Sequence, residues 1–243
     1  MKNIFLFLLV FVNLGSVLAK DLVVGCYHKP PYCYKNSSGQ IVGIFPDIMR
    51  EVAKEMGNKV SFQMGNRDFV LKQALIGAYD AFIPLIITEY IDRKYFKTCS
   101  ISQEPIINVS LVFFALDSDK EVGVMEIYKG LVGLKRNFYY SDLTKSALEP
   151  FSCLFGGSDE ENFRALRNKQ LIVVVADEWE GKFLAKKMGL KVKVVMGPLD
   201  FKGLNIMFNN TTVDKQFIDE YNASFGVVKQ GSLYGEILNK YMN

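Results

Sequence analysis

The sequence predicts an α/β protein of two lobes, each a mainly parallel sheet flanked by helices. Three observations carry this. Short apolar runs such as Leu171-Ile172-Val173-Val174-Val175 alternate with amphipathic stretches such as Pro46 to Met56 along the chain, the pattern of strands and helices taking turns in parallel sheets. No Pro-rich or Ser-rich linker separates these blocks, so the lobes are joined by strands within one interwoven chain. The 243 residues, 49% of them hydrophobic, suffice for two cores of roughly 100 residues each.

Taken in order, Lys2 precedes the apolar run Ile4 to Val12, and Gly15-Ser16-Val17-Leu18-Ala19 precedes the charged Lys20-Asp21. This is the pattern of a signal peptide occupying residues 1–19 and cut after Ala19; Asn13 interrupts the run before it reaches the ~20 residues of a spanning helix. Leu22 to Cys26 is a strand, followed by a loop containing Pro30-Pro31 and a turn at Asn36-Ser37-Ser38-Gly39. From Pro46, the residues Ile48, Met49, Val52, Ala53 and Met56 share one helical face, with Asp47 complementing the positive helix end and Gly57 as the stop signal. Lys59 to Phe62 is a strand, Phe69 to Ile76 a helix and Asp80 to Ile87 a strand running into a long loop.

The middle of the chain repeats the style, with strands at Ser110–Leu116, Gly130–Leu134 and Leu171–Val175 and helices at Asp159–Arg167 and Glu178–Met188. Strands at Val192–Met196 and Leu204–Phe208 lead to helices at about Val213–Phe225 and Ser232–Tyr241. The chain thus leaves the first lobe and returns to it. Residues 20–107 and 204–243 are assigned to the first lobe and 108–203 to the second, with hinge crossings near Pro105–Val109 and Asp200–Asn205.

A formal net charge of +3, with basic residues scattered among acidic ones, gives no stripe that would track a phosphate backbone, so no nucleic-acid partner is expected. The four cysteines, Cys26, Cys33, Cys99 and Cys153, lack the paired short spacings of a zinc site, and no metal or cofactor is expected. In an oxidising compartment they allow up to two disulfides, Cys26–Cys33 being the closest pair in sequence. The only histidine, His28, has no obvious Ser or Cys partner, so no catalytic residue is assigned.

The chain resembles the bacterial extracellular solute-binding proteins of family 3, which serve polar amino acid uptake and have a periplasmic-binding-protein-like fold of the second type. The residues that carry the resemblance are Val24-Gly25 with Pro31-Tyr32, Gly39 with Gly43 to Ile48, Leu75-Ile76-Gly77 with Asp80-Ala81, and Thr88 with Arg93. Leu131 to Leu134, Leu166 to Asp177 and Gln230 to Tyr241 complete the series. It implies that Thr88 and Arg93 hold a ligand carboxylate, a role the guanidinium suits through paired hydrogen bonds, and that Asp177 holds an ammonium. It places Tyr32 or Tyr27 against the ligand side chain, and backbone amides near Tyr140-Ser141-Asp142, where a helix starts, as further donors. The chain departs from the pattern by placing Glu89-Tyr90-Ile91-Asp92 between Thr88 and Arg93, and by Cys99-Ser100 and Ile172 at positions usually occupied otherwise.

Each of these residues has a plainer reading. Arg93 is also placed to pair with Asp92 or Glu89, Asp177 to cap the helix beginning at Glu178, and Tyr32 and Trp179 to pack in the core. Arg136, at a strand end, is a surface residue or a second anion contact. The implied function is an exported, monomeric binding protein that captures a small polar ligand, an amino acid or related carboxylate, for the membrane permease of an ABC importer. The alternatives are a dehydratase-like enzyme on the same scaffold and a ligand-sensing partner of a membrane receptor.

Overall fold

A computed structural model describes residues 21–86, 97–119 and 122–242. The expected signal segment and cleavage site, together with Thr88 and Arg93, lie outside the described residues. In chain order, β1 (Asp21–Tyr27), the hairpin of β2 (Tyr34–Lys35) and β3 (Ile41–Val42), α1 (Ile44–Glu55), β4 (Lys59–Gly65), α2 (Arg67–Leu75), β5 (Ala81–Ile86) and β6 (Cys99–Ile101) build the first lobe. Strand β7 (Ile107–Leu116) crosses to the second lobe, made of α3 (Val124–Lys129), β8 (Leu131–Lys135), α4 (Asp142–Leu148), β9 (Ser152–Gly156), α5 (Asp159–Arg167), β10 (Val173–Asp177) and α6 (Glu178–Lys187). Strand β11 (Val192–Asn209) crosses back and is followed by α7 (Lys215–Gln230) and α8 (Ser232–Met242).

The strands lie in the order β4-β1-β5-β11-β7-β10-β8-β9, with β6 also on β11. Strands β1 and β8 have parallel neighbours on both sides, and every antiparallel pair of this sheet involves β7 or β11. The parallel character therefore belongs to the lobes and the antiparallel character to the crossings. Sequence periodicity divides β11 into two strands around Gly197-Pro198-Leu199-Asp200. The structure corrects this: the 18 residues form one strand whose register against β7 shifts between Val194 and Met196 and again between Met196 and Asp200. The irregularity absorbs the turn-forming residues without ending the strand.

Each lobe buries both faces of its sheet. Along β7, Leu111, Phe113 and Ala115 enter one core while Val112, Phe114 and Leu116 enter the other, and Val173, Val175 and Val174, Ala176 of β10 divide in the same way. In the first lobe Leu22, Val24 and Cys26 join the core under α1, α7 and α8, and Phe82 and Leu85 that beneath α2. Gly181 is required where α6 lies on β7, since a Cβ there would stand 2.3 Å from the Phe114 ring.

Cys26 and Cys33 are both buried and neighbour one another, but their thiols are unjoined, as are those of Cys99 and Cys153; the Cys26–Cys33 bridge admitted by the sequence is not formed. Among the described residues, no helix is long and apolar enough to cross a membrane, and no group of three or more His, Cys, Asp or Glu side chains is placed to hold a metal ion.

Candidate functional site

The site is built on the loop after β1. Tyr32 and Cys33 donate their backbone N–H groups to the Lys29 carbonyl at 2.8 and 2.9 Å, and Lys29 donates its own to the Cys33 carbonyl at 2.7 Å, closing residues 29–33 into a tight turn. The carbonyls of Pro31 and Tyr32 accept from the Ile44 and Phe45 amides at 3.0 Å, supplying partners to the otherwise orphaned first turn of α1. Gly43 is needed at this contact: its φ is +133°, and a Cβ would meet the Tyr32 carbonyl oxygen at 2.5 Å. The same glycine donates to the Tyr241 hydroxyl, which donates to Asp47 at 2.6 Å, so the C-terminal helix braces the loop from behind.

From this braced loop two side chains reach across to the second lobe. The Tyr32 hydroxyl donates to Asp177 Oδ1 at 2.6 Å, and Lys29 Nζ pairs with Glu180 Oε1 at 2.6 Å. Tyr32 is fully buried, and the Lys29 and Glu180 side chains retain only 11% and 14% exposure. Trp179 packs on the first-lobe core and Phe183 lies 5.3 Å from Tyr34, ring centre to ring centre, so the face of α6 is seated on the first lobe. Burial and then the Glu180 carboxylate push the Asp177 carboxyl up to about 6, against the opposing influence of Lys29 and the Tyr32 hydroxyl. Burial is the strongest single influence and works against the Lys29 charge, but Glu180, Tyr27 and Asp177 together outweigh it and hold the ammonium above its ordinary range.

Outside this latch lies a cleft of about 450 Å³ whose walls come from both lobes: Tyr27, His28, Arg67 and Ile86 from one, Lys135, Asn137, Phe138, Tyr139 and Lys202 from the other or from the crossing strand. Tyr27 stacks on Phe82 at 5.7 Å with Arg67 over its ring at 5.9 Å, and Lys202 lies 5.5 and 5.1 Å from the rings of Phe138 and Tyr139. A smaller recess continues inward to Ser110, Asp177 and Asp200. Lys29 and Glu180 of the latch also line this cleft, and the combination of aromatic faces with four cations and one carboxylate suits a small ligand with an apolar part and negative charge.

The residues expected from sequence divide accordingly. Tyr27 and His28 line the cleft. Tyr32 does not present its face to the cleft: it is wholly in the core, and only its hydroxyl is used, on Asp177. Asp177 caps α6, its Oδ1 accepting from the Trp179 and Glu180 amides at 2.9 and 3.0 Å. Tyr140 is turned inward, its hydroxyl accepting from the Lys135 amide at 2.8 Å and donating to the Lys135 carbonyl, which folds the 135–140 loop on itself. Ser141 caps α4, accepting from the Thr144 amide at 3.2 Å, while Thr144 reaches Asp200. Arg136 is exposed and donates to the Phe155 carbonyl, away from the cleft. Sequence reasoning missed Lys29, Glu180 and Lys202; Lys29 and Glu180 are 151 positions apart, and no local pattern joins them.

Residues 22–243 match the model of the bacterial extracellular solute-binding proteins, family 3. The chain belongs to this family. The solute-binding protein shares its fold with a substrate binding domain of Streptococcus pneumoniae (18% identity, TM-score 0.78, covering 92% of this chain and 100% of the other). Substrate binding domain 2 of Lactococcus lactis GlnP, in an open conformation, is similar at 15% identity and TM-score 0.75, covering 91% and 94%. The L-cystine solute receptor of Neisseria gonorrhoeae follows at 16% identity and TM-score 0.73, covering 91% and 92%. No curated protein matches the chain.

Proposed function

We propose that this solute-binding protein is exported, with cleavage after Ala19, and captures an amino acid or related small carboxylate for the permease of an ABC importer, working as a monomer. The observation that carries the reading is the cleft itself: its aromatic and cationic walls come from both lobes, so a ligand seated between Tyr27 and Lys202 touches both at once. Amino acid capture is supported by the family and by the L-cystine receptor among its fold neighbours. The lobes divide as 20–107 with 204–243 and 108–203, and close by bending where β7 and β11 run side by side, from Ile107 opposite Leu204 to Leu111 opposite Asp200. Thr88 and Arg93 supply the carboxylate clamp.

Mass spectrometry of the small molecule released on gentle denaturation of the purified protein is the direct test. Titration of the identified carboxylate into Arg93→Ala follows, with an affinity loss of about 30-fold or more expected for removal of a buried charge partner. Recovery of no small molecule, together with no binding across a panel of amino acids and carboxylates, overturns the reading.

A further inference from the structure

The cleft contains an ammonium of its own. Asp177, the residue that the resemblance assigns to the ligand's ammonium, already accepts three hydrogen bonds at Oδ1, from the Tyr32 hydroxyl at 2.6 Å and the amides of Trp179 and Glu180 at 2.9 and 3.0 Å. The adjacent carboxylate, Glu180, is held by Lys29 Nζ at 2.6 Å, with both side chains largely buried. The third carboxylate of the recess, Asp200, faces Lys202 at 3.5 Å and accepts from Thr144 at 3.3 Å. Among the described residues, the three carboxylates lining the cleft or its recess, Asp177, Glu180 and Asp200, thus each have at least one partner within the protein.

The lysine is not a loose surface group that an incoming ligand would push aside. Its backbone closes the 29–33 turn through three hydrogen bonds, that turn is fastened to α1, and its ammonium also lies 5.4 Å from the centre of the Tyr32 ring. Around it the cleft carries Arg67, Lys135 and Lys202. A ligand ammonium placed beside Asp177 would share the recess with Lys29 and Lys202, and burying an ammonium against like charge is strongly unfavourable.

We propose that Lys29 fills the ammonium position of this site, and that the ligand is a small carboxylate lacking an α-ammonium group. The inference rests on the carboxylate-capture reading above and narrows its ligand class. Lys29 supplies the counter-charge to Glu180 beside Asp177, and Arg67, Lys135 and Lys202, which also face Asp68, Asp159 and Asp200, turn the cleft toward the ligand's negative charge.

The test is calorimetric titration of the mature protein with matched pairs that differ only at the α-carbon: glutarate and L-glutamate, succinate and L-aspartate, glutaramate and L-glutamine, 4-methylpentanoate and L-leucine. In the pair that binds best, the compound without the amine is expected to bind at least about tenfold more tightly. Lys29→Met, which keeps the aliphatic stem and frees Glu180, is expected to shift that ratio toward the amino acid by about tenfold or more. Preference of the unmodified protein for the amino acid, or equal affinity within about threefold, overturns the inference while leaving carboxylate capture intact. Absence of binding by either member of every pair overturns carboxylate capture and the inference with it. The preference of the unmodified protein decides the matter even if Lys29→Met fails to fold.

Discussion

Replacing Tyr32 by Phe removes one oxygen and nothing else from the contact between the lobes. The hydroxyl is buried, lies 2.6 Å from Asp177 Oδ1 and leaves that atom with two backbone donors when it is lost. A hydrogen bond to a charged acceptor contributes about 1.5–3 kcal/mol, which in a protein of this size corresponds to a melting shift of about 3–12 °C. Part of that loss is released by opening of the lobes rather than by unfolding, so the assay pairs differential scanning calorimetry with small-angle scattering. Tyr32→Phe should melt earlier, show a larger radius of gyration, or both. The variant also removes an influence that lowers the Asp177 pKa, so the carboxyl should titrate still higher than its present value of about 6. If Tyr32→Phe matches the parent in melting temperature and in radius of gyration from pH 5 to 8, the hydroxyl does not hold the lobes.

Three further outcomes follow from the same geometry. Glu180→Gln leaves the Lys29 ammonium buried without its counter-charge and should cost about 3–5 kcal/mol by urea unfolding, with the double variant Lys29→Met/Glu180→Leu recovering most of it; equal stability of Glu180→Gln and parent would refute the pair. Because the folded pKa of Asp177 lies above its unfolded value, between about pH 4 and 6 the native state holds a proton that the unfolded chain has lost, so stability falls as pH rises through that window, by on the order of 3 kcal/mol. Asp177→Asn, which keeps a capping oxygen, should flatten that fall in urea midpoints, and an unchanged slope would count against it. Cys33 is buried and its thiol, beside Cys26, is held far above the ordinary range, whereas Cys153 is half-buried; iodoacetamide at pH 8 should label Cys153 well before Cys33, and the reverse order in peptide mapping would show the loop to be open.

What the sequence reveals is what is local. The apolar face of α1, the uniformly buried β10 and the cap at Asp177 are all written in residues within one turn or one strand of each other, and they stand where periodicity and capping rules put them. The division of β11 into two strands failed because Gly197-Pro198 signals a turn, whereas pairing with β7 on either side keeps the strand continuous through the irregularity. Tyr32 and Asp177 each read as a ligand contact on its own, and nothing in their neighbourhoods indicates that they bond to each other across 145 positions. Lys29 has no local signature at all, since a lysine in a loop is ordinarily solvated, and only the tertiary approach of Glu180 makes it part of the site.

The pairing of Ile107 with Leu204 at the lobe boundary has a consequence for how this molecule can be re-engineered. Directly opposed Cα atoms in an antiparallel ladder lie about 4.5–5.5 Å apart, a gap that a two-residue turn spans. The second lobe is thus an insert whose entry and exit share one doorway in a host. Cutting it out and sealing the host with Asn-Gly would leave the order β4-β1-β5-β11 unbroken, with α1, α7 and α8 still covering its face. The excised insert would keep β10-β8-β9 on one side of β7 and carry Val192 to Gly203 of β11 on the other, so that its own sheet also stays paired. The host should therefore survive alone as a half-molecule, and the insert should keep every strand pairing except that of Ile107 with Leu204.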